Sequence, residues 1–576
     1  MRRNDIDILK GIAIIAVIFY HLEIFTYGYL GVDLFLVING FLITMGLIRY
    51  TKDEKLSYFD FIVKRFCRLF PLVILASAVC LIVGAISMLP DNYENVTMSV
   101  VSTNLFSNNI LAAITTKDYW DVVNNYKPLM HTWYLGIIAE FYIVFPLLFI
   151  IPSKILKKAT RETVLRCIFS LLVTLFVISF VLYLIPAISD NEKFYYLPFR
   201  FFELAAGAIC AFVYSKIKNF AARKIVNIVT VVLLIGLMFA NGSIINNSLR
   251  LIIVVLLSCV AILTGAGSYA KKSKYKVLSF LGILGNKSYS YFIWHQIVLA
   301  FWRCYIGPTT NINSILLCLV LIVGISELSY YFVERKIKPG KKLFWGCVSC
   351  GVIISIIAGG IYLRAGVIRN VPELDINVDD IQRNPHGQYC DRIYDYDRDY
   401  EENDKLKVMV IGNSFARDWA NVMLESSYAD KINISYAFEY DETYSSRVQE
   451  SDYVFVFGDS KNLYDELCSL IDKDKIWGIG TKSFGENNDS VYLKRFRSDY
   501  FQTTVIPTED ILEHQKQLQE LWGDNYIDML EPVMNENGEV RVFTDNGKFI
   551  SQDCRHLTVQ GAKFYAKIID FDRIFN

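Results

Sequence analysis

Two ionisable residues stand at the ends of an uncharged run near the start of the chain. In DIDILKGIAIIAVIFYH, ten residues without charge separate Lys10 from His21. Eleven helical residues make almost three full turns, so both side chains would share one helix face, about 16 Å apart along the axis. A neutral imidazole can act as a general base for an alcohol, and a cation can hold a phosphate-bearing ligand. The pair therefore predicts a reactive route along one helix.

A second set of reactive residue types stands late in the chain. The stretch KLKVMVIGNSFARDWANVM indicates a buried strand, a turn at Gly412 and a helix that opens at Ser414. A serine at such an elbow is exposed, beside helix amides that can stabilise an oxyanion. In SQDCRHLTVQGAKFYA, Asp553 precedes His556 by three residues. That spacing lets a carboxylate orient the imidazole that deprotonates a serine. Ser460, in a later GDS, is the alternative nucleophile.

Further polar and aromatic residues interrupt the apolar runs. Charged groups in hydrocarbon are costly, so they mark functional sites or structural polar networks. Arg200 and Glu203 are three residues apart, which predicts an ion pair on one helix face. For this pair and for His295 a purely structural role stays open. The other positions of this kind are Asp33, His131 and Trp133.

Composition divides the chain in two. The 576 residues are 53% hydrophobic and balance 58 basic against 58 acidic residues, which argues against a nucleic-acid partner. Long apolar runs are confined to the first 364 residues or so, and a polar, acidic part follows. Eleven runs could span a bilayer, near residues 6–26, 29–48, 67–89, 135–153, 165–187, 199–215, 225–241, 249–268, 288–304, 312–333 and 343–364.

Basic residues alternate between the loops and predict how the chain crosses the membrane. Lys and Arg concentrate on the cytoplasmic side of membrane proteins. With the N-terminus inside, the inside loops carry most of them, near 51–68, 154–161, 216–224, 271–276 and 335–342. An odd number of spans then places the C-terminal part outside. We expect a multi-pass protein of a bacterial cytoplasmic membrane, in contact with membrane lipid, with an external segment at 89–134.

The polar part indicates one α/β domain. SDYVFVFGDSKN and KIWGIGTKSFGENN predict two further strands with their loops, so strand and helix alternate. The twelve cysteines give no disulfide framework, and no metal site is expected. The predicted organisation is a membrane domain, a linking membrane helix, a linker and an extracytoplasmic domain, at 1–340, 341–364, 365–400 and 401–576.

Ordered motifs give the first 337 residues a family resemblance. DIDILKGIAIIAVIFYH and GYLGVDLFLVINGFLIT are followed by FIVKRFCRLFPL, HTWYLGIIAEFYIVFPLL, YYLPFRFFELAAGA, LGNKSYSYFIWHQ and LSYYFVERKI. In this order they resemble the membrane-bound acyltransferase-3 family. The resemblance implies about ten core helices, and transfer of an acyl group, usually acetyl from cytoplasmic acetyl-CoA, towards a sugar hydroxyl outside. Acyl-CoA would be a substrate, and no bound cofactor is expected.

The chain departs from that family at several positions. Lys10 stands where the family usually has arginine, which keeps the charge but loses bidentate phosphate recognition. Asn39 replaces a usual serine. Ile138 stands at the position of a usual glutamate, and Glu140 lies two residues later. The role of an acid at this site is therefore in question.

The motifs assign roles within the membrane part. His21 would be catalytic, and Lys10, Arg65 and Arg68 would bind the acyl donor. The residues expected to support this site are Asp33, His131, Trp133, Glu140, Arg200, Glu203 and His295.

The serine elbow and the D-x-x-H pair together resemble the SGNH hydrolase family, which is often fused to acyltransferase-3 domains. Carried over by motif, Ser414 is the nucleophile, His556 the base and Asp553 its orienter. The oxyanion helpers would be the amide of Ser414, Gly458 and Asn487. The usual first motif of that family is GDS, where this chain has GNS. The implied fold is a soluble three-layer α/β domain.

The two resemblances imply O-acylation of an extracytoplasmic glycan such as a polysaccharide, lipopolysaccharide or peptidoglycan. The membrane part would take the acyl group from acyl-CoA near Lys10 and pass it outward past His21. Ser414 would accept it as an ester, or the external domain would receive it by a carrier, before a sugar hydroxyl attacks. Two other functions stay open: a glycan transporter or flippase with a binding domain, and an esterase that removes acyl groups.

Overall fold

The structure, a computed structural model, describes residues 3–53, 57–115, 124–214, 223–239, 245–265, 275–307, 309–379 and 385–575. The contacts divide the chain into two compact units. The first is Met1–Gly84 with Val96–Gly359, and the second is Ala85–Asn95 with Gly360–Asn576. Residues 215–222 and 266–274 lie outside the described residues, and they include much of the two basic loops predicted near 216–224 and 271–276.

Long apolar runs make the first unit helical, because a helix satisfies its own backbone hydrogen bonds. The helices up to residue 362 are α1 (Asn4–His21), α2 (Gly31–Asp53), α3 (Tyr58–Ser87), α4 (Pro90–Asn104), α5 (Asn108–Thr115), α6 (Trp133–Val144), α7 (Leu147–Ile155), α8 (Arg161–Leu184), α9 (Asp190–Tyr195), α10 (Leu197–Tyr214), α11 (Arg223–Phe239), α12 (Asn247–Gly265), α13 (Lys276–Asn286), α14 (Ser288–Tyr305), α15 (Ile312–Phe332) and α16 (Lys341–Tyr362).

Among the described residues, eight helical segments are long and apolar enough to cross a membrane. They are Gly28–Arg49, Tyr58–Ser87, Met130–Ile155, Arg161–Leu184, Leu197–Tyr214, Asn247–Gly265, Ile312–Lys336 and Lys341–Tyr362. A helical membrane part is thus confirmed. Three of the eleven predicted runs became α1, α11 and α14, which are not in this set. The apolar part of α11 is shorter, whereas α1 carries Asp5, Asp7 and Lys10 and α14 carries His295 and Arg303.

Two helices of the first unit lie backbone to backbone. α2 packs along α10, and glycine makes the contact possible on both sides. A Cβ atom on Gly40 would stand 1.9 Å from the carbonyl oxygen of Leu204, and one on Gly207 would stand 1.9 Å from that of Val37. Small residues let membrane helices approach this closely. The contact fixes α2 relative to α10.

Part of the segment that was predicted to be external packs beside the middle of α3. α4 and α5 are separated by a short break, where Phe106 has a φ of 53°. The Phe106 ring lies 5.1 Å from that of Phe66 and 5.0 Å from that of Phe70. Polar residues of this region bond to each other, as the hydroxyls of Thr103 and Thr132 do at 2.7 Å. The sequence pattern missed this packing because Ser, Thr and Asn are interspersed among the apolar residues there and break up any long apolar run.

The second unit is built on a parallel sheet. Its strands are β1 (Leu406–Ile411), β2 (Ile432–Ala437), β3 (Tyr453–Val456), β4 (Ile476–Ile479) and β6 (Tyr526–Ile527), while β5 (Thr504–Val505) pairs with β7 (Val540–Arg541). Within the described residues the main sheet has five strands in the order β2-β1-β3-β4-β6. Val410 of β1 stands opposite Tyr436 of β2 and Phe455 of β3.

Helices cover both faces of this sheet. They are α17 (Pro385–Asp391), α18 (Ser414–Leu424), α19 (Ser445–Gln449), α20 (Lys461–Leu470), α21 (Asp489–Tyr492), α22 (Glu509–Trp522), α23 (Val559–Ile568) and α24 (Phe571–Phe575). Val408 and Val410 join the buried cluster that holds Trp419 of α18. Met409 and Ile411 point to the other face and join the cluster that holds Leu467 of α20. The predicted α/β class is therefore confirmed.

Candidate active sites

The turn after β1 presents Ser414 as the first residue of α18. Gly412 has a φ of 129°, and a Cβ atom there would stand 2.8 Å from the carbonyl oxygen of Phe457. Asn413 caps the helix, because its side-chain oxygen accepts from the Phe415 N–H at 3.0 Å. β1 lies between β2 and β3 in the sheet. Ser414 follows the carboxyl end of β1, and α/β sheets bind their ligands at the carboxyl ends of parallel strands.

The loop before α23 shapes the D-x-x-H pair. Asp553 Oδ1 accepts from the backbone N–H of Arg555 at 3.0 Å and of His556 at 2.8 Å, so the other oxygen faces the imidazole. Cys554 takes a φ of 72°, in the left-handed region. Its carbonyl oxygen accepts from the Phe484 N–H at 2.9 Å, which holds this conformation. The turn thereby brings the imidazole onto its own orienting carboxylate.

Ser414, His556 and Asp553 form a continuous hydrogen-bonded set. Ser414 Oγ lies 3.0 Å from His556 Nε2, and His556 Nδ1 lies 2.5 Å from Asp553 Oδ2. Ser414 and His556 are buried, so the expectation of an exposed serine at the elbow is wrong; the histidine loop covers it. Burial alone would raise the pKa of Asp553, but the adjoining His556 and the nearby His386 hold it well below its usual range. An ionised Asp553 fixes the proton of the imidazole on Nδ1, so that Nε2 can take the Ser414 proton.

A buried ion pair joins α18 to the segment after β4, its carboxylate also bonds to the histidine loop, and the sequence analysis missed it. Lys482 Nζ lies 3.0 Å from Asp418 Oδ2, and both side chains are 1% exposed. The same carboxylate oxygen accepts from the backbone N–H of Leu557 at 2.9 Å, next to His556. Burial lowers the pKa of Lys482, and Asp418 opposes that shift. The two charges are far apart in sequence, so no local spacing could have revealed them.

Two more titratable groups in the second unit lie near the triad and were also missed. Asp91 is close enough to interact electrostatically with Asp553, His556 and His386. Burial raises the pKa of Asp91, whereas His386 lowers it. His386 Nε2 lies 3.9 Å from the Cys390 sulfur. These groups add charge around the imidazole that the D-x-x-H motif alone does not indicate.

Asp489 anchors the chain segment that carries Asp91. Its Oδ1 accepts from the Leu89 N–H at 2.7 Å, and its Oδ2 accepts from Asn92 Nδ2 at 3.0 Å. Leu89 is buried in an apolar cluster of the same unit. Burial raises the pKa of Asp489 to about 7, although the bond from the Leu89 amide lowers it. The anchor is therefore a carboxyl group that titrates near neutral pH.

Three further residues of the second unit were candidates, one as the alternative nucleophile and two as oxyanion helpers. Ser460 is exposed and caps α20, whose first turn donates to its hydroxyl at 3.3 Å. Gly458 follows β3, the strand beside β1. Asn487 accepts through its side-chain oxygen from the Asp489 N–H at 2.8 Å, so this oxygen caps α21. The structure brings Ser414, and not Ser460, to the histidine.

Three predicted imidazoles meet in the first unit. The ring of His295 lies 5.2 Å from that of His21 and 5.2 Å from that of His131. His295 Nδ1 lies 2.7 Å from the carbonyl oxygen of Phe292, so it donates there and Nε2 carries the lone pair. Arg303, which the sequence analysis did not single out, donates to the His21 carbonyl oxygen. Among the described residues, no group of three or more His, Cys, Asp or Glu could hold a metal ion.

A cavity of about 120 Å³ brings together the three cations assigned to the acyl donor. Its walls include Lys10, Arg65, Arg68, Asn39, Tyr134, Ile138, Tyr142, Ser288, Tyr289 and Phe292. Converging cations suit a ligand with several phosphate charges. Ile138 makes the wall apolar where the resembling family usually has an acid. Glu334, another group missed from sequence, interacts electrostatically with Arg68 and Lys10.

The cavity and the imidazoles share a wall. Phe292 lines the cavity, and its ring lies 5.2 Å from that of His131 and 5.8 Å from that of His295. Tyr134 lies 5.3 Å from Phe292, and its hydroxyl accepts from Asn39 Nδ2 at 2.6 Å. Lys10, in the first half of α1, and His21, its last residue, are thus connected through the cavity and its aromatic wall.

The predicted ion pair on α10 includes a third member. Arg200 lies 3.0 Å from Glu203 and 2.6 Å from Asp33, and all three side chains are buried. The Trp133 ring lies 4.6 Å from that of Phe194, which in turn lies 5.3 Å from the Arg200 guanidinium. Four of the predicted support residues therefore form one cluster on α2, α6 and α10.

Glu140 has a packing contact outside the cavity. Its Oε1 accepts from Asn109 Nδ2 at 2.8 Å, which joins α6 to α5. The neighbouring Asn108 donates to the Thr132 hydroxyl at 2.8 Å, beside His131. Glu140 thus contributes to the polar contacts that position the loop of His131.

Family membership follows from residues 3–331, more than half of the chain, which match the acyltransferase domain of the acyltransferase-3 family. The chain belongs to this family. The matched residues include the cation-lined cavity and the three neighbouring histidines, His21, His131 and His295.

Curated relatives extend the similarity. The chain is 26% identical over 353 residues to the peptidoglycan O-acetyltransferase OatA of Listeria monocytogenes, covering 58% of this chain and 55% of that protein. It is 28% identical over 357 residues to the O-acetyltransferase OatA of Staphylococcus aureus, covering 59% and 58%. A putative O-acetyltransferase of Staphylococcus aureus is 28% identical over 362 residues. The chain thus spans little more than half the length of these relatives. No solved structure matches.

Proposed function

We propose that the protein is a membrane-bound O-acetyltransferase that moves an acetyl group from cytoplasmic acetyl-CoA to a hydroxyl of extracytoplasmic peptidoglycan. Membership of the acyltransferase-3 family supports the reaction class, and the name of the Listeria relative supports the acceptor. The observation that carries the proposal is the hydrogen-bonded Ser414, His556 and Asp553 in a chain of this family. The second unit would act as an SGNH-like domain outside the cell.

The donor half-reaction is proposed for the cavity of the first unit. Lys10, Arg65 and Arg68 would hold the phosphates of acetyl-CoA. His21 would act as the general base and take the proton of an attacking hydroxyl group on a carrier. As the hydroxyl oxygen of the carrier bonds to the acetyl carbon, the bond between that carbon and sulfur breaks, and His21 gives the proton to the sulfur so that CoA leaves as the thiol. The acetyl group would then pass outward as an ester on this carrier.

The acceptor half-reaction is proposed for the triad. Ser414 Oγ attacks the acetyl carbonyl, and its proton passes to His556 Nε2, while Asp553 stabilises the imidazolium. The proton then goes to the leaving group, and an acetyl ester stays on Ser414. A sugar hydroxyl attacks the ester carbonyl and gives its proton to His556; the bond to Ser414 Oγ breaks, this oxygen takes the proton back, and the acetyl group stays on the sugar. The amide of Ser414, Gly458 and Asn487 are the proposed oxyanion donors.

The proposal is tested by the acetyl content of peptidoglycan. Muropeptides are released with a muramidase from cells that lack the protein, and from cells complemented with wild type, Ser414→Ala or Ser460→Ala. Mass spectrometry then counts acetyl esters, which mild alkali removes. Wild type and Ser460→Ala should restore them, and Ser414→Ala should not. More ester in the deletion strain would identify an esterase instead, and an unchanged ester content would contradict a role on peptidoglycan.

A further inference from the structure

An apolar groove runs between α3 and α16 in the first unit. Its volume is about 680 Å³. It is lined by Tyr58, Phe59, Ile62, Phe66, Phe70, Asn104, Leu105, Phe106, Ile143, Phe344, Val348, Gly351, Val352, Ser355 and Ile356. Both helices are long and apolar enough to cross a membrane, so the medium around the groove is hydrocarbon.

The groove matches one leaflet of a bilayer in length. On α3 its lining runs from Tyr58 to Phe70, and on α16 from Phe344 to Ile356. Twelve helical steps cover about 18 Å, and half of a hydrocarbon core of roughly 30 Å is about 15 Å. A single lipid chain that enters at the helix ends would therefore reach the far end of the groove.

Protein closes the far end. Asn104 Nδ2 donates to the Ser355 hydroxyl at 3.3 Å, and Ser77 donates to Asn104 Oδ1 at 3.1 Å. Phe106 stacks edge-on against Phe66 and Phe70 at the same level. A chain in the groove thus has a defined end point as well as a defined entrance.

One lysine lies beside the entrance, and two more lie close to it in the chain. Lys341 Nζ lies 5.6 Å from the centre of the Phe59 ring, which lines the groove. Lys338 and Lys342 line a second groove, of about 670 Å³, together with Pro71 and Leu343. Lys341 and Lys342 occupy the first turn of α16, where the helix dipole disfavours cations and favours an anion. Charge complementarity therefore selects a ligand with a negative head and an apolar tail.

We propose that this groove binds one anionic glycerophospholipid, with an acyl chain between α3 and α16 and the phosphate against Lys338, Lys341 and Lys342. α16 lies beyond residues 3–331, the part that matches the acyltransferase family. The lipid would brace this helix against the family core. The site is independent of the proposed acetyl transfer.

The head-group half of the proposal is tested with full-length protein in detergent. Native mass spectrometry compares binding of phosphatidylglycerol and phosphatidylcholine with the same acyl chains. Wild type should prefer phosphatidylglycerol by about tenfold or more, since lysines near the head group favour an anionic lipid. The variant Lys338→Gln, Lys341→Gln, Lys342→Gln should lose the preference. The control variant Lys154→Gln, Lys157→Gln, Lys158→Gln removes three exposed lysines elsewhere and should keep it.

The acyl-chain half is tested by filling the groove. Among the described residues, no heavy atom stands within 4 Å of a Cβ built on Gly351, so Gly351→Leu fits and occupies the groove. It should lower phosphatidylglycerol binding about tenfold. Gly324→Leu, on α15 with equal space around it, should bind as wild type does. Equal binding of both lipids by wild type, full binding by Gly351→Leu, or co-purification of a polyprenyl phosphate in place of a glycerophospholipid would overturn the proposal.

Discussion

Asp553 uses one carboxylate oxygen for its own turn and the other for the imidazole. Asp553→Asn keeps an acceptor for the turn but presents an amide N–H to His556, which then holds its proton on Nε2 and cannot take that of Ser414. We expect hydrolysis of an activated acetyl ester by the purified protein to fall by about 10³–10⁴-fold. Ser460→Ala is the control and should keep the wild-type rate. A loss of less than about tenfold would contradict the assigned role of the carboxylate.

Lys10 and His21 make separate contributions at two positions of α1, about three helical turns apart. His21→Ala should abolish acetylation of the glycan while the protein stays in the membrane, because the general base is lost. Lys10→Ala should lower acetylation by about tenfold or more, whereas Lys10→Arg should keep it, because the charge is retained. The acetyl-ester content of muropeptides measures all three. Lys154→Ala removes an exposed lysine and serves as the control, and normal acetylation by His21→Ala would refute the proposed base.

At the scale of elements, the Asp418 carboxylate joins α18 to the histidine loop, because it pairs with Lys482 and accepts from the backbone N–H of Leu557. Asp418→Asn leaves Lys482 buried and uncompensated, which should cost about 3–5 kcal/mol. Lys482→Met should cost a similar amount, and the double variant less than the sum of the two. Urea unfolding of the purified protein measures these differences. The control is Lys407→Met, which breaks a half-exposed pair with Glu450 and should cost less than about 1 kcal/mol. Additive losses would show that the pair does not act as a unit.

The packing around residues 88–92 should lose stability as pH rises, because Asp489 must then carry its charge while buried. The pKa of this carboxyl is about 7 in the folded unit against 3.8 as its ordinary value. The folded form thus binds the proton more tightly, and stability falls as pH rises from about 4 to about 7. Between pH 5 and pH 8 the wild-type melting temperature should fall on the order of 5 °C more than that of Asp489→Asn. Asp499→Asn, at an exposed position, should follow wild type.

Local patterns predicted the elements that carry the proposed chemistry. A short apolar strand followed by Gly412 and Ser414 defined the elbow, and three-residue spacing defined Asp553 with His556. Contacts between distant residues escaped the sequence analysis, as with Asp418 and Lys482. So did the packing of α4 and α5 against α3, because polar side chains such as those of Thr103 and Asn108 find partners far along the chain.

At the scale of the whole molecule, the alternation of basic loops predicts the orientation of both ends. A phosphatase reporter, active only outside the cytoplasm, should be active when fused after Asn576 and inactive when inserted near Lys157. A cytoplasmic fluorescent reporter should show the reverse. The expectation rests on the positive-inside rule and on an odd number of spans. If both reporters lay in the same compartment, an odd number of membrane crossings between Lys157 and Asn576 would be excluded.

The close contact of α2 with α10 also limits which parts can move during a catalytic cycle. Backbones separated only by Gly40 and Gly207 cannot slide or rotate past one another without a steric clash. α2 supplies one wall of the donor cavity through Asn39, so that wall is stationary with respect to α10. Entry and exit of a ligand as large as the proposed acetyl-CoA would then require movement of the other walls, on α1, α3, α6 and α14.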